Sequence, residues 1–173
     1  MKKRAASTLL AVCLALTWFS VARADGSGME QGEAPALPPN LIATRDARRL
    51  LEKVWRRSPT FRLQCARISQ AQWLRIKLSF TARATIPQRY RALAIVNKRD
   101  GLVTIRIFTL SDYVELIGHE FEHVVEQIEG VDLNALVAER NGAARRHEDG
   151  GIETERALNA GRKIEAEYNR AKS

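Results

Sequence analysis

The sequence predicts an α+β fold, a small antiparallel or mixed sheet packed against helices. Three observations carry that reading. Apolar residues recur with a helical period near residue 50 and again beyond residue 112, as in Ala47, Leu50, Leu51, Val54 and Trp55. Between them the period falls to two: Leu74, Ile76, Leu78 and Phe80 alternate with Arg75, Lys77, Ser79 and Thr81. An Asp100-Gly101 pair then separates two further apolar runs, as a hairpin turn does. Apolar residues make up 45% of the 173, enough to build a core and to exclude wholesale disorder.

Residues 1–24 read as a secretory signal peptide. Lys2, Lys3 and Arg4 precede an almost wholly apolar run, Ala5 to Val21, and Ala22-Arg23-Ala24 supplies a small-residue cleavage pattern before Asp25. The run is 17 residues long and contains Ser7 and Thr17, whereas a membrane span wants about 20 apolar residues. The expectation is an exported protein, periplasmic or secreted, with no membrane span after cleavage. Cleavage also changes the charge. Of 28 basic and 20 acidic residues, four basic and no acidic ones leave, so the formal net charge drops from +8 to +4 on 149 residues. That mild excess reads as a solvated surface, and no nucleic-acid partner is expected. Cys65 remains alone and reads as a small buried hydrophobe, which excludes an internal disulfide or a cysteine-built zinc site.

Residues 25–40, with three Pro and three Gly, read as a flexible tether, leaving 41–173 as a single domain. A helix follows over about 44–57. Ser58 then caps a second helix with Pro59 at its first position, running to about Ile68 with Phe61, Cys65 and Ile68 on one side. Leu74 to Thr81 is a half-buried strand. Tyr90 to Val96 and Val103 to Ile107 form the hairpin. Thr109 or Ser111 caps a long helix that stops at Gly130, and Asp132 caps a short one reaching about Arg140. Asn141 to Gly151, rich in Gly and charge, reads as a loop, and Ile152 to Ala171 as the final helix. No internal repeat is present.

The long helix carries His119-Glu120-Phe121-Glu122-His123, an H-E-x-x-H pattern that uses two of the three histidines. Residues four apart share a helix face, so both imidazoles can hold one zinc ion at about 2 Å. Glu120 stands at the margin of that face, where a carboxylate can act as general base toward a water. Tyr113, Ile117, Phe121, Val124 and Ile128 form the apolar stripe behind. Zinc needs a third protein ligand. The candidates are His147, Glu153 and Glu155, with Asp149 further off. On a helical wheel of the final segment, Glu153 falls among Ala157, Ala160, Ile164 and Tyr168, the inward face, and Glu155 falls nearly opposite. A carboxylate placed inward needs a partner, so Glu153 is the expected third ligand and Glu155 the reserve.

His119-Glu120-Phe121-Glu122-His123 followed by Glu153-Thr154-Glu155-Arg156-Ala157 resembles the zincin metallopeptidases, on the gluzincin side. The resemblance covers roughly 58–171 and is specific only in those two motifs. It implies a zincin-like active-site helix against a sheet, a later glutamate as third zinc ligand, and an edge strand that aligns an extended peptide or protein substrate. The chain departs from the pattern at two points. Glu122 is charged where zincins usually are not. Ala157 stands where many gluzincins carry an Asp that orients a ligand His, leaving Glu126, Asp112 or Asp149 for that task. His147 and Tyr168 are the candidates for stabilising an oxyanion.

The leading expectation is thus an exported Zn2+-dependent hydrolase, a metallopeptidase with His119, His123 and Glu153 on zinc and Glu120 as general base. The alternative is a non-catalytic zincin-like module that binds zinc or an envelope protein. A third reading is a basic envelope-binding domain using Arg75, Lys77 and Arg106 with Arg89 or Arg91.

Overall fold

Thr44 and Ser58 open the first two helices by side-chain capping. The computed structural model describes residues 36–81, 91–97, 99–148 and 150–171, all within one unit, 34–173. The expected signal peptide lies outside the described residues, as does the tether up to residue 35. Helix α1 spans Arg45–Arg57, and Thr44 Oγ1 accepts from the Ala47 N–H at 3.3 Å. Helix α2 spans Pro59–Gln70, with Pro59 at its start and Ser58 Oγ accepting from the Phe61 N–H at 3.0 Å. Their apolar faces, including Leu51, Val54, Phe61 and Ile68, are fully buried. Cys65 lies among them, and burial pushes its thiol up to about 12.

The sheet is mixed. Its strands are β1 (Leu41–Ala43), β2 (Arg75–Phe80), β3 (Ala92–Asn97) and β4 (Leu102–Ile107), in the order β1-β2-β4-β3. β1 and β4 both run parallel to β2, and β3 pairs antiparallel with β4 from Ala92↔Ile107 to Asn97↔Leu102. The hairpin expected around Asp100-Gly101 is therefore present, and it places β3 at the sheet edge. Ile76, Leu78, Val103, Ile105 and Ile107 face the helices and are buried. Arg75, Lys77 and Arg106 alternate with them on the exposed side. Arg91 does not join those three as a free cation, because Asp112 and Glu115 pair with it at 2.7 and 3.2 Å. Arg89 lies outside the described residues.

The end of the expected tether packs on the domain. Leu37 and Pro38 are buried, and the Asn40 amide donates to the carbonyls of Ile68, Ala71 and Leu74 at 3.2, 3.1 and 2.9 Å. Helix α3 (Tyr113–Ile128) begins at Asp112, and neither Thr109 nor Ser111 caps it; their hydroxyls bond each other at 2.8 Å. Helix α4 (Leu133–Glu139) is capped by Asp132 as expected.

The segment after α4 departs most from expectation. Within the 141–151 region read as a loop, Ala144–Arg146 forms strand β5, which pairs antiparallel with β6 (Ile152–Thr154). The final helix, α5, therefore spans Glu155–Arg170 and begins three residues later than predicted. Thr154 is its cap, accepting from the Ala157 N–H at 3.0 Å. α5 crosses α3 closely at Gly118 and Gly161. A Cβ on Gly161 would stand 2.7 Å from the Glu115 carbonyl oxygen, and one on Gly118 would stand 2.6 Å from Ile164 Cδ1. Among the described residues, no helix is long and apolar enough to cross a membrane.

Candidate metal centre

The two imidazoles meet as the helical spacing requires. His119 and His123 lie one turn apart on α3, with ring centroids 4.8 Å apart and planes at 82°. Behind them Ile117, Phe121 and Val124 are fully buried, so an apolar face fixes the helix against α2 and the sheet. Glu153 reaches the pair from β6. Its Oε1 sits 3.3 Å from His119 Nε2 and 3.7 Å from His123 Nε2. One ligand atom from each of the three residues lies within 4.8 Å of the others, and the group can hold a metal ion. Four-coordinate ligands at about 2.1 Å stand about 3.4 Å apart, so the two Glu153 contacts fit one shared cation.

Glu153 is thus where the ligand argument placed it, but not for the reason used. It sits on a strand ahead of the helix, so its rank on the helical wheel has no bearing. Glu155, the reserve, is exposed and lies outside the group. His147 lines the same cleft but is not part of the group. Asp149 lies outside the described residues. Tyr168 is buried, with its hydroxyl 2.9 Å from that of Tyr113, and it does not line the cleft.

The carboxylate that orients a histidine is Glu126, one of three candidates for that task. Its Oε2 is 2.8 Å from His123 Nδ1, and its Oε1 accepts from Thr154 Oγ1 at 2.7 Å. Such a partner sets the ring orientation and leaves Nε2 toward the ligand position. The sequence reading missed Thr154. A threonine followed by an acidic residue is a helix-start signal, and it would have moved the helix boundary past Glu153.

The electrostatics follow from this packing. Burial pulls the His119 imidazole below its ordinary 6.5, against the opposing pull of Glu153. Burial acts the same way on His123, but its bonds to Glu126 and Glu153 prevail and hold it up at about 10. Burial raises the Glu153 carboxyl, and the two imidazoles outweigh that and keep it below its usual range. Glu120 is almost wholly enclosed, and burial pushes it up to about 7 against the pull of His123 and a backbone hydrogen bond from Ala94. That value suits a general base at neutral pH.

A cleft of about 1380 Å³ opens over these groups. Ala92, Ala94 and Val96 of β3 form one wall, and α4 with the β5–β6 hairpin forms the other. The Phe108 N–H donates to the Arg91 carbonyl, so by antiparallel alternation residues 92, 94 and 96 turn their backbone groups away from β4. The sheet edge therefore presents hydrogen-bonding groups to the cleft beside Glu120. The chain matches no family model, no curated protein and no solved structure.

Proposed function

We propose that this protein is an exported zinc-dependent hydrolase, a metallopeptidase of zincin-like, gluzincin-type design. The observation that carries the reading is the convergence of His119, His123 and Glu153 beside a buried Glu120 at the foot of an edge-strand cleft. Two nitrogens and one carboxylate oxygen suit zinc, and three protein ligands leave a coordination position open. When bound, zinc supplies Lewis acidity toward a carbonyl and lowers the pKa of a coordinated water to about 7.

The chain's own residues do the rest. Glu120 takes the proton of the attacking water and returns it to the leaving amine. Glu126 holds His123 in the tautomer that directs Nε2 inward. The outward backbone groups of 92 and 96, with the Ala94 carbonyl, bind an extended peptide by strand addition, drawing the scissile carbonyl along the cleft to Glu120, which the Ala94 N–H holds. The leader pattern of residues 1–24 supports a site of action in the periplasm or the medium.

Zinc per chain and cleavage of a mixed peptide library test this together. The parent should hold one zinc and cleave peptides in a chelator-sensitive way. His119→Ala and His123→Ala should lose the metal. Glu120→Gln should keep it and lose at least about a hundredfold in rate. Zinc bound tightly with no cleavage of any library member would replace the peptidase with a non-catalytic zinc-binding module.

A further inference from the structure

α3 carries two pairs of polar side chains at i, i+4 spacing. His119 and His123 form one pair and face Glu153. Glu122 and Glu126 form the other, one turn apart and both buried. Residues 153–156 lie across both pairs. While Glu153 meets the imidazoles, Thr154 Oγ1 donates to Glu126 Oε1 at 2.7 Å and Arg156 Nε donates to Glu122 Oε1 at 2.6 Å. The second oxygen of each carboxylate is engaged too. Glu126 Oε2 meets His123 Nδ1, and Glu122 Oε2 accepts from Gln64 Nε2 at 2.7 Å.

We infer that Glu122 and Glu126 form a dock for residues 154 and 156, and that this dock positions Glu153 for metal binding. The inference rests on the metal-centre reading above, adds three positioning residues to it, Glu122, Thr154 and Arg156, and gives Glu126 a second role beside orienting His123. Glu153 needs such help. It stands on a three-residue strand that, among the described residues, pairs only with β5, in a short hairpin closed at its ends by the bonds from the Glu155 N–H to the Ala143 carbonyl and from the His147 N–H to the Gly151 carbonyl, and a two-stranded hairpin is marginal in water. The dock holds the chain one residue and three residues beyond Glu153, on a helix whose own position is set by its apolar face. It also accounts for the charge at Glu122 inside the first motif. That carboxylate is answered by Arg156 in the second motif, so the two motifs match each other at more than the metal.

Zinc affinity, read by competition with a chromophoric chelator, tests the dock. The proteins are the parent, Thr154→Val, Arg156→Met, Glu122→Gln, the Glu122→Gln/Arg156→Met pair, and His119→Ala as reference. Thr154→Val and Arg156→Met should each weaken zinc by roughly 10-fold, the lower end of the range for groups that touch a ligand directly, because each acts one contact further out, through Glu126 or Glu122. Glu122→Gln/Arg156→Met should be no weaker than Arg156→Met alone, because Arg156→Met already removes the Glu122 contact, together with the bond from Arg156 Nη1 to Glu129 Oε2 at 2.5 Å. Thr154→Ser keeps the hydroxyl and should restore affinity. A role confined to folding would lower the melting temperature of the metal-free protein and leave zinc affinity at the parental value; that outcome in Thr154→Val and Arg156→Met overturns the dock. Zinc retained by His119→Ala would instead overturn the metal-centre reading. Glu122→Gln changes only one atom and carries the test if Arg156→Met does not fold.

Discussion

The two sides of α3 are built by different means. Toward α2 and the sheet the contact is apolar: Ile117, Phe121 and Val124 are fully buried, and the Phe121 ring lies 5.0 Å from that of Phe61 at 53°. Toward residues 153–156 the contact is polar and made of short hydrogen bonds. Apolar burial is non-directional and grows with area, so it tolerates small shifts. A ligand cage tolerates few, because a metal–ligand bond is set to within about 0.2 Å. The first side decides that the helix is there at all, and the second decides where its imidazoles meet a carboxylate. The Gly118–Gly161 crossing joins the two.

Phe121→Ala should therefore have the largest effect on stability, about 3–5 kcal/mol in denaturant unfolding, because it empties the middle of the apolar side. The fraction that stays folded should bind zinc as the parent does. A matching loss of zinc affinity would break the division between the two sides. Gly161→Ala is a smaller change at the joint. The added methyl would meet the Glu115 carbonyl oxygen at 2.7 Å and His119 Cβ at 3.2 Å, so α5 must back away. Overpacking of this kind costs about 1–3 kcal/mol. Here zinc affinity should fall as well, since the displaced groups include His119, one of the three residues that could hold the metal. Parental affinity in Gly161→Ala would show that the helix crossing does not set the cage.

Proton linkage separates the sides without a mutation. With no metal bound, His123 is held at about 10, so at pH 7 it carries a proton that a cation must expel. Apparent zinc affinity should rise about tenfold per pH unit between pH 7 and 9, with close to one proton released per ion, measurable by calorimetry in two buffers. Stability follows the same group. Its folded value lies above the ordinary 6.5, so its contribution is full below pH 6.5 and is lost as the pH climbs through 10. Metal-free protein should melt earlier at pH 9.5 than at pH 7. Zinc-loaded protein, with His123 already deprotonated, should lose less.

The apolar side was readable in the sequence and the polar side only partly. Period-3.6 and period-2 runs placed α1, α2, β2, the β3–β4 hairpin and the buried stripe of α3, because burial imprints its period on the residues it selects. The H-E-x-x-H spacing likewise placed both imidazoles. The β5–β6 hairpin left no such imprint. Its strands are three residues long, Arg145 and Arg146 are exposed, and no period can establish itself over that length. The Glu122–Arg156 and Thr154–Glu126 contacts join residues 34 and 28 positions apart, and spacing says nothing about partners that far removed. Glu153 was named through a helix that does not include it. What brought Glu153 to the imidazoles in the structure is the physical premise beneath that choice, that an inward carboxylate needs a partner.

The smallest expected effect tests whether polarity or position makes the difference. Glu167, near the far end of α5, accepts from Ser58 Oγ at 2.6 Å, Thr60 Oγ1 at 2.7 Å and the Thr60 N–H at 3.0 Å, closing the start of α2. Burial raises its carboxyl, but these bonds outweigh that and hold it below its ordinary 4.5. Its contribution is therefore full above pH 4.5 and is lost as the pH falls through the depressed folded value. Glu167→Gln should cost about 1 kcal/mol at pH 7, the scale of a lost helix cap, and the gap to the parent should close on acidification. Zinc affinity at pH 7 should not move, although the contact is as polar as the dock, because it lies a helix length from residues 153–156. If Glu167→Gln weakened zinc as Gly161→Ala is expected to, α5 would have to act as one rigid lever, and the positioning of Glu153 would belong to the whole helix and not to its first turn.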